Sequence, residues 1–180
     1  MTTHIALLRA VNVGGRNMIA MSDLRAFLGE LGFTDAKSLL QSGNIVFRGG
    51  SRTGSALERF LEGESKKRLE LEVDYVVRNP DEWQRAIDDN PFPKEAKSDP
   101  AHLIVTFTKD VLDAARVKEL QAAIQGPEIV RAKGKHLYVV YPDGAGKSKL
   151  TIGLIEKKLA TRGTARNWNT VMKLAALSRE

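Results

Sequence analysis

Residues 141–150, YPDGAGKSKL, carry the choice between two fold classes. Gly146-Lys147-Ser148 matches the end of a phosphate-binding P-loop, and a true P-loop implies a parallel α/β sheet. That motif requires a first glycine five residues before Gly146, a position held here by Tyr141. Gly144 lies too close to replace it, because the loop must be long enough to wrap the phosphates. No strand ending in aspartate follows to hold a magnesium ion. The stretch therefore reads as a corner between a hairpin and a helix, and the fold must be sought elsewhere.

Outward from this corner, the second half of the chain shows a strand at 102–108, a helix with Ala114, Val117, Leu120 and Ile124 inward, and a hairpin from 128–132 and 136–141. A helix over 147–161 with Leu150, Leu154, Ile155 and Leu159 inward follows, then a short strand near 164–166 and a terminal helix over 168–177. The first half repeats the order. A strand spans 4–13, buried on both faces near its middle. Ser22 caps a helix carrying Leu24, Phe27, Leu28 and Leu31, two short strands occupy 37–41 and 44–48, a helix runs from Ser55, and a strand spans 72–77. Both halves thus read β-α-β-β-α-β, the split pattern of a ferredoxin-like α/β plait. The expected fold is α+β, with two tandem ferredoxin-like halves and an extra C-terminal helix. The halves are set at 1–79 and 101–180. The Pro-containing connection 80–100 bears a short helix at 81–89.

The 180 residues include 42% hydrophobic and 28% charged side chains, the balance of a globular chain. No apolar run nears the roughly 20 residues of a membrane span, no secretory leader is evident, and a membrane partner is not expected. Cysteine is absent, which excludes disulfides and thiolate chemistry and fits a cytoplasmic address. The net charge of +6 is uneven: residues 1–90 hold 12 Lys/Arg against 13 Asp/Glu, and residues 91–180 hold 16 against 9. The basic half should attract an anion, whether a small phosphate or carboxylate or, less favourably, nucleic acid. The hairpin KGKHLYVVY (133–141) lacks the RNA-recognition signature, because Lys135 and His136 stand where an aromatic and a small residue belong.

Three clusters are rich in hydrogen-bonding groups: ALLRAVNVGGRN (6–17), LLQSGNIVF (39–47) and TARNWNTVMKL (164–174). Together they resemble the family called domain of unknown function 1697. The resemblance covers nearly the whole chain in order and spacing, with Ala10-Val11 where members often have Gly-Ile. It implies a compact bacterial α+β protein of two ferredoxin-like halves and brings no established reaction.

Arg9 in an apolar strand must reach the rim, pair with a carboxylate, or meet a ligand. Asn12 and Gly14-Gly15 suit an anion cradle or a tight turn. Gln41, Ser42 and Asn44 are ligand donors or turn-formers. Arg166, Asn167, Trp168, Asn169 and Thr170 supply either a binding surface or a helix cap with a packed indole. The expected ligand is a small phosphate- or carboxylate-bearing molecule held by these residues, with Lys147 and Lys149 steering it. A protein-interaction or structural role for the same clusters is the other reading. His4, His102 and His136 have no metal-ligand spacing, and each reads as an ordinary strand residue. No cofactor is expected, and no carboxylate stands in the three clusters to act as a general base.

Overall fold

The computed structural model describes all residues, 1–180. The chain is α+β, with seven α-helices and two four-stranded antiparallel sheets. It divides into two compact units, one of residues 1–85 and 173–180, the other of residues 86–172. Both divisions fall inside helices. No helix is long and apolar enough to cross a membrane.

In the first unit, β1 (Thr3–Leu8), β2 (Thr34–Leu39), β3 (Asn44–Arg48) and β4 (Tyr75–Arg78) form a sheet of order β2-β3-β1-β4. The central strand β1 is apolar at consecutive positions, and Ile5, Ala6, Leu7 and Leu8 are all fully buried. It ends at Leu8, five residues short of the expected Val13. The Leu8 N–H goes to the Gly43 carbonyl, the Arg9 N–H to the Asp74 carbonyl, and Ala10 then turns left-handed. Two helices, α1 (Met21–Glu30) and α2 (Gly54–Leu69), supply Leu24, Phe27, Leu28, Leu57 and Leu61 to a core shared with Ala6, Leu8, Ile45, Phe47, Tyr75 and Val77. Ser22 does not cap α1. The helix starts at Met21 with Ala20 at the cap and no side-chain cap bond.

The edge strand β4 is protected in a specific way. The Glu62 carboxylate accepts the Tyr75 N–H at 3.0 Å, and the Glu58 carboxylate accepts the Val77 N–H at 3.0 Å. Glu58 and Glu62 lie four apart on one face of α2, so a single helix turn occupies two edge donors that could otherwise recruit another strand.

His4 is buried beside Phe33 and Phe47, with its Nε2–H donating to the Gly49 carbonyl at 2.9 Å. Burial disfavours the imidazolium and lowers the His4 pKa below 6.5. The unfolded chain therefore binds the proton more readily than the folded one. His4 should contribute full stability above pH 6.5 and lose it progressively as the pH falls below that value. Urea unfolding of the wild type and His4→Gln across this range should show the wild type declining more steeply on acidification. Parallel declines would refute the assignment.

Helix α3 (Pro80–Asp88) matches the expected short helix, and α4 (Pro93–Ser98) was not expected. Pro93 looks like a breaker in the sequence, but it occupies the first turn of α4, where its missing N–H costs nothing. The second unit contains β5 (Leu103–Thr108), α5 (Ala114–Ala122), β6 (Ile129–Lys133), β7 (His136–Val140), α6 (Ile152–Leu159) and β8 (Gly163–Asn167), with sheet order β6-β7-β5-β8. Its core joins Val117, Leu120, Leu137, Val139, Tyr141, Leu150, Ile155 and Leu159. The last helix, α7 (Trp168–Leu177), begins where the sequence placed it. Helix α6 does not begin at Lys147. Residues 145–147 form a single 3-10 turn, and α6 starts five residues later under a Thr151 cap that accepts the Leu154 N–H.

Candidate functional site

The loop after β1 is built from left-handed residues. Ala10, Asn12, Gly14, Gly15 and Asn17 all have φ between 49° and 73°. Residues 12–17 make a small hairpin in which the Arg16 N–H donates to the Val13 carbonyl and the Asn12 N–H to the Asn17 carbonyl. Gly14-Gly15 form its tip, where a two-residue turn needs positive φ at both positions. Arg9 lies beyond the strand and not within it, and its guanidinium stands 3.8 Å from the Asp74 carboxylate.

Asn12 fastens this loop to two other segments. Its Oδ1 accepts the Ile19 N–H at 2.8 Å, and its Nδ2 donates to the Ile19 carbonyl at 2.9 Å and to the Gln41 carbonyl at 2.6 Å. The structure therefore brings the first two sequence clusters together. Within the second cluster, Leu40 and Gly43 are left-handed, and the buried Asn44 Nδ2 donates to the Leu39 carbonyl and the Ser42 Oγ, both at 3.0 Å. Asn12 and Gln41 also line a groove of about 840 Å³ beside α1.

Residues 164–172 of the third cluster belong to the second unit, and Lys173 and Leu174 to the first. Arg166 on β8 donates to Thr164 Oγ1 at 2.7 Å and to the Ala165 carbonyl at 2.8 Å. Burial lowers its pKa to about 10, because the charged guanidinium is partly stripped of water. Asn167 caps α7 by accepting the Thr170 N–H at 3.0 Å. Trp168 and Thr170 are buried, and Asn169 is exposed.

The corner at 141–150 holds a second cavity of about 420 Å³. Its walls include Pro127, Glu128, Asp143, Gly144, Lys147, Ser148, Lys149 and Leu150. The corner is set by two bonds: Tyr141 Oη donates to the Leu150 carbonyl at 2.9 Å, and Ser148 Oγ donates to Glu128 at 2.5 Å. Burial, reinforced by the Glu128 charge, pushes the Tyr141 phenol up to about 12, so it stays a hydrogen-bond donor at neutral pH. Tyr141, the residue that breaks the P-loop pattern, is thus the pin that shapes the corner.

One pair in this unit escaped the sequence reading. His102 Nδ1 lies 2.9 Å from Asp99 Oδ2, and its Nε2 points towards Gly144. The i,i+3 spacing of Asp99 and His102 was the available signal, but Pro100 between them hid the turn that joins them. No three His, Asp or Glu side chains gather to hold a metal ion.

Two antiparallel sheets and their covering helices define a small α+β protein. The chain belongs to the family described as Protein of unknown function (DUF1697), whose model matches residues 1–138. Its structure is similar to that of the conserved bacterial protein SP0830 from Streptococcus pneumoniae, with a TM-score of 0.75 and 22% identity over 98% of each chain. That likeness speaks for the fold. No curated protein matches the chain.

Proposed function

We propose that each unit is a ferredoxin-like plait and that the protein binds a small carboxylate- or phosphate-bearing molecule at the 141–150 corner. The element order β-α-β-β-α-β in both units, with β1 and β5 at inner positions of their sheets, supports the first statement. The observation that carries the second is that Lys147 and Lys149 line one 420 Å³ cavity within the basic half of the chain. A volume of this order suits a metabolite-sized ligand. Lysine ammonium groups on a short, pinned corner are point charges for an anion, and Gly144 allows the ligand close to the backbone. Glu128 and Asp143 on the same walls favour acids that also carry a donor, such as an amino or hydroxyl group, over a bare polyanion.

In this reading Arg9, Asn12, Ser42, Asn44, Arg166 and Asn167 hold the local structure, as their bonds suggest, and recognition rests on the second-unit corner. The test is a thermal-shift screen of organic acids, amino acids, sugar phosphates and nucleotides on the wild type and Lys147→Ala/Lys149→Ala. A ligand at 100 times its Kd adds about 2.7 kcal/mol of apparent stability. The double variant should melt normally without ligand and lose at least about three-quarters of that increment. A ligand-induced shift that persists in the variant would move the site elsewhere. Strong, salt-sensitive binding of mixed RNA oligomers would favour nucleic acid instead.

A further inference from the structure

The groove in the first unit has the opposite chemistry. Its floor and walls are Ile19, Ala20, Ala26, Phe27, Leu69 and Leu71, with the exposed Met18 at the rim. Asn12 and Gln41, bonded to each other, complete the lining. Its ionisable lining residues are Asp23 and Glu30, and no lysine, arginine or histidine joins them. Both carboxylates belong to α1, two turns apart on the side that faces the groove, a separation of about 10 Å along the helix.

This shape is built and not incidental. The triple bonding of Asn12 fixes Ile19, next to Met18, and Gln41 in place, and Ile19 packs against the core that α1 helps to build. Buried Phe27 and Leu71 supply a rigid apolar base, and Met18 is a flexible thioether that adapts to varied apolar shapes. A cavity of about 840 Å³ lies within the usual range for small-molecule sites. An anion would meet two carboxylates and no cation. A strongly hydrated inorganic cation would gain nothing from the apolar base. A ligand with an apolar body and an ammonium head satisfies both parts.

We infer that this groove binds a small organic cation, an amine carried on an aromatic or aliphatic body, its apolar part on Phe27 and Leu71 and its charge towards Asp23 or Glu30. The test uses the full chain labelled with nitrogen-15, titrated with 4-phenylbutylamine, 4-phenylbutanol and 4-phenylbutyrate, which share one apolar body and differ in charge. The amine should shift amides of residues 18–30, 41 and 69–71, and bind at least about tenfold more tightly there than the acid, with the alcohol between. Asp23→Asn/Glu30→Gln, both exposed changes, should weaken the amine about fivefold or more and level the series. Ala26→Leu, a helix-compatible change that fills the groove, should weaken all three while leaving the melting temperature within a few degrees of wild type. Shifts by the acid at residues 123–128 and 143–150 report the other cavity and are counted apart. Equal affinity of amine and acid in the groove, amine shifts scattered outside it, no amine binding at millimolar concentration, or a charge preference that survives Asp23→Asn/Glu30→Gln would each overturn the inference.

Discussion

Replacing Gly43 by valine should lower the unfolding free energy by about 3 kcal/mol or more, the sum of backbone strain and overpacking. Gly43 has φ of 79°, a region that a β-branched residue does not adopt without strain. A Cβ placed there would sit 2.7 Å from Val11 Cγ2 and 2.8 Å from Leu8 Cβ. Neither neighbour is the free end of a flexible chain, and both are buried. Moving them would disturb the bond from the Leu8 N–H to the Gly43 carbonyl, which ends β1. The control is Gly14→Ala: φ is again positive, at 61°, but nothing lies within 4 Å of the added carbon. It should cost only about 1 kcal/mol, from the backbone alone. Urea denaturation of both variants separates the two terms. Equal losses would mean that the hairpin yields to accommodate the new side chain.

The second large effect is expected at Glu58. Truncation to alanine removes the acceptor of the buried Val77 N–H and the carboxylate that most strongly opposes the loss of charge on Arg78. Burial pulls the Arg78 pKa down, and Glu58 and then Glu82 push it back up. Removing one member of such a buried charged set costs about 3–5 kcal/mol in comparable sites, because the remaining charge keeps its desolvation penalty. Glu58→Gln keeps an oxygen for the Val77 N–H and loses only the charge, so it should cost clearly less than Glu58→Ala. The order alanine worse than glutamine, read from chemical denaturation, checks both roles. If Glu58→Ala costs under about 1 kcal/mol, water reaches this edge of the sheet and the strand is not sealed by α2.

The regular elements were legible because they depend on short windows. The turn words Ser42-Gly43 and Lys133-Gly134 marked the strands beside them, β3 and β7, alternation marked the strand at 72–77, and 3.6-residue spacing marked α1, α2 and α5, since each signal needs only its own short segment. The errors fall where a distant partner decides. The first strand stopped at Leu8 because Gly43 and Asp74 took the next backbone donors. Leu150 looked like the first turn of a helix by its spacing. It is buried instead by an extended corner that the Tyr141 hydroxyl pins, and α6 waits for Thr151. The proline-rich connection hid α4 because Pro93 both breaks and starts helices, and the word itself does not say which.

The candidate sites divide in the same way. The residues of the first two clusters were identifiable as polar words, yet the bond from Asn12 to Gln41 spans 29 positions and no local pattern announces it. Asp23 and Glu30 on one segment and Leu69 and Leu71 on another come together only in the groove that they line. Composition, charge asymmetry, element order and the failure of the P-loop pattern were determined by the sequence alone, because each is a property of neighbours along the chain. Which polar groups are spent on holding loops, and which charges line each cavity, were decided only by the tertiary structure. Those choices arise from contacts between segments far apart in sequence, where a hydrogen bond or an ion pair forms only after the sheets and helices have packed.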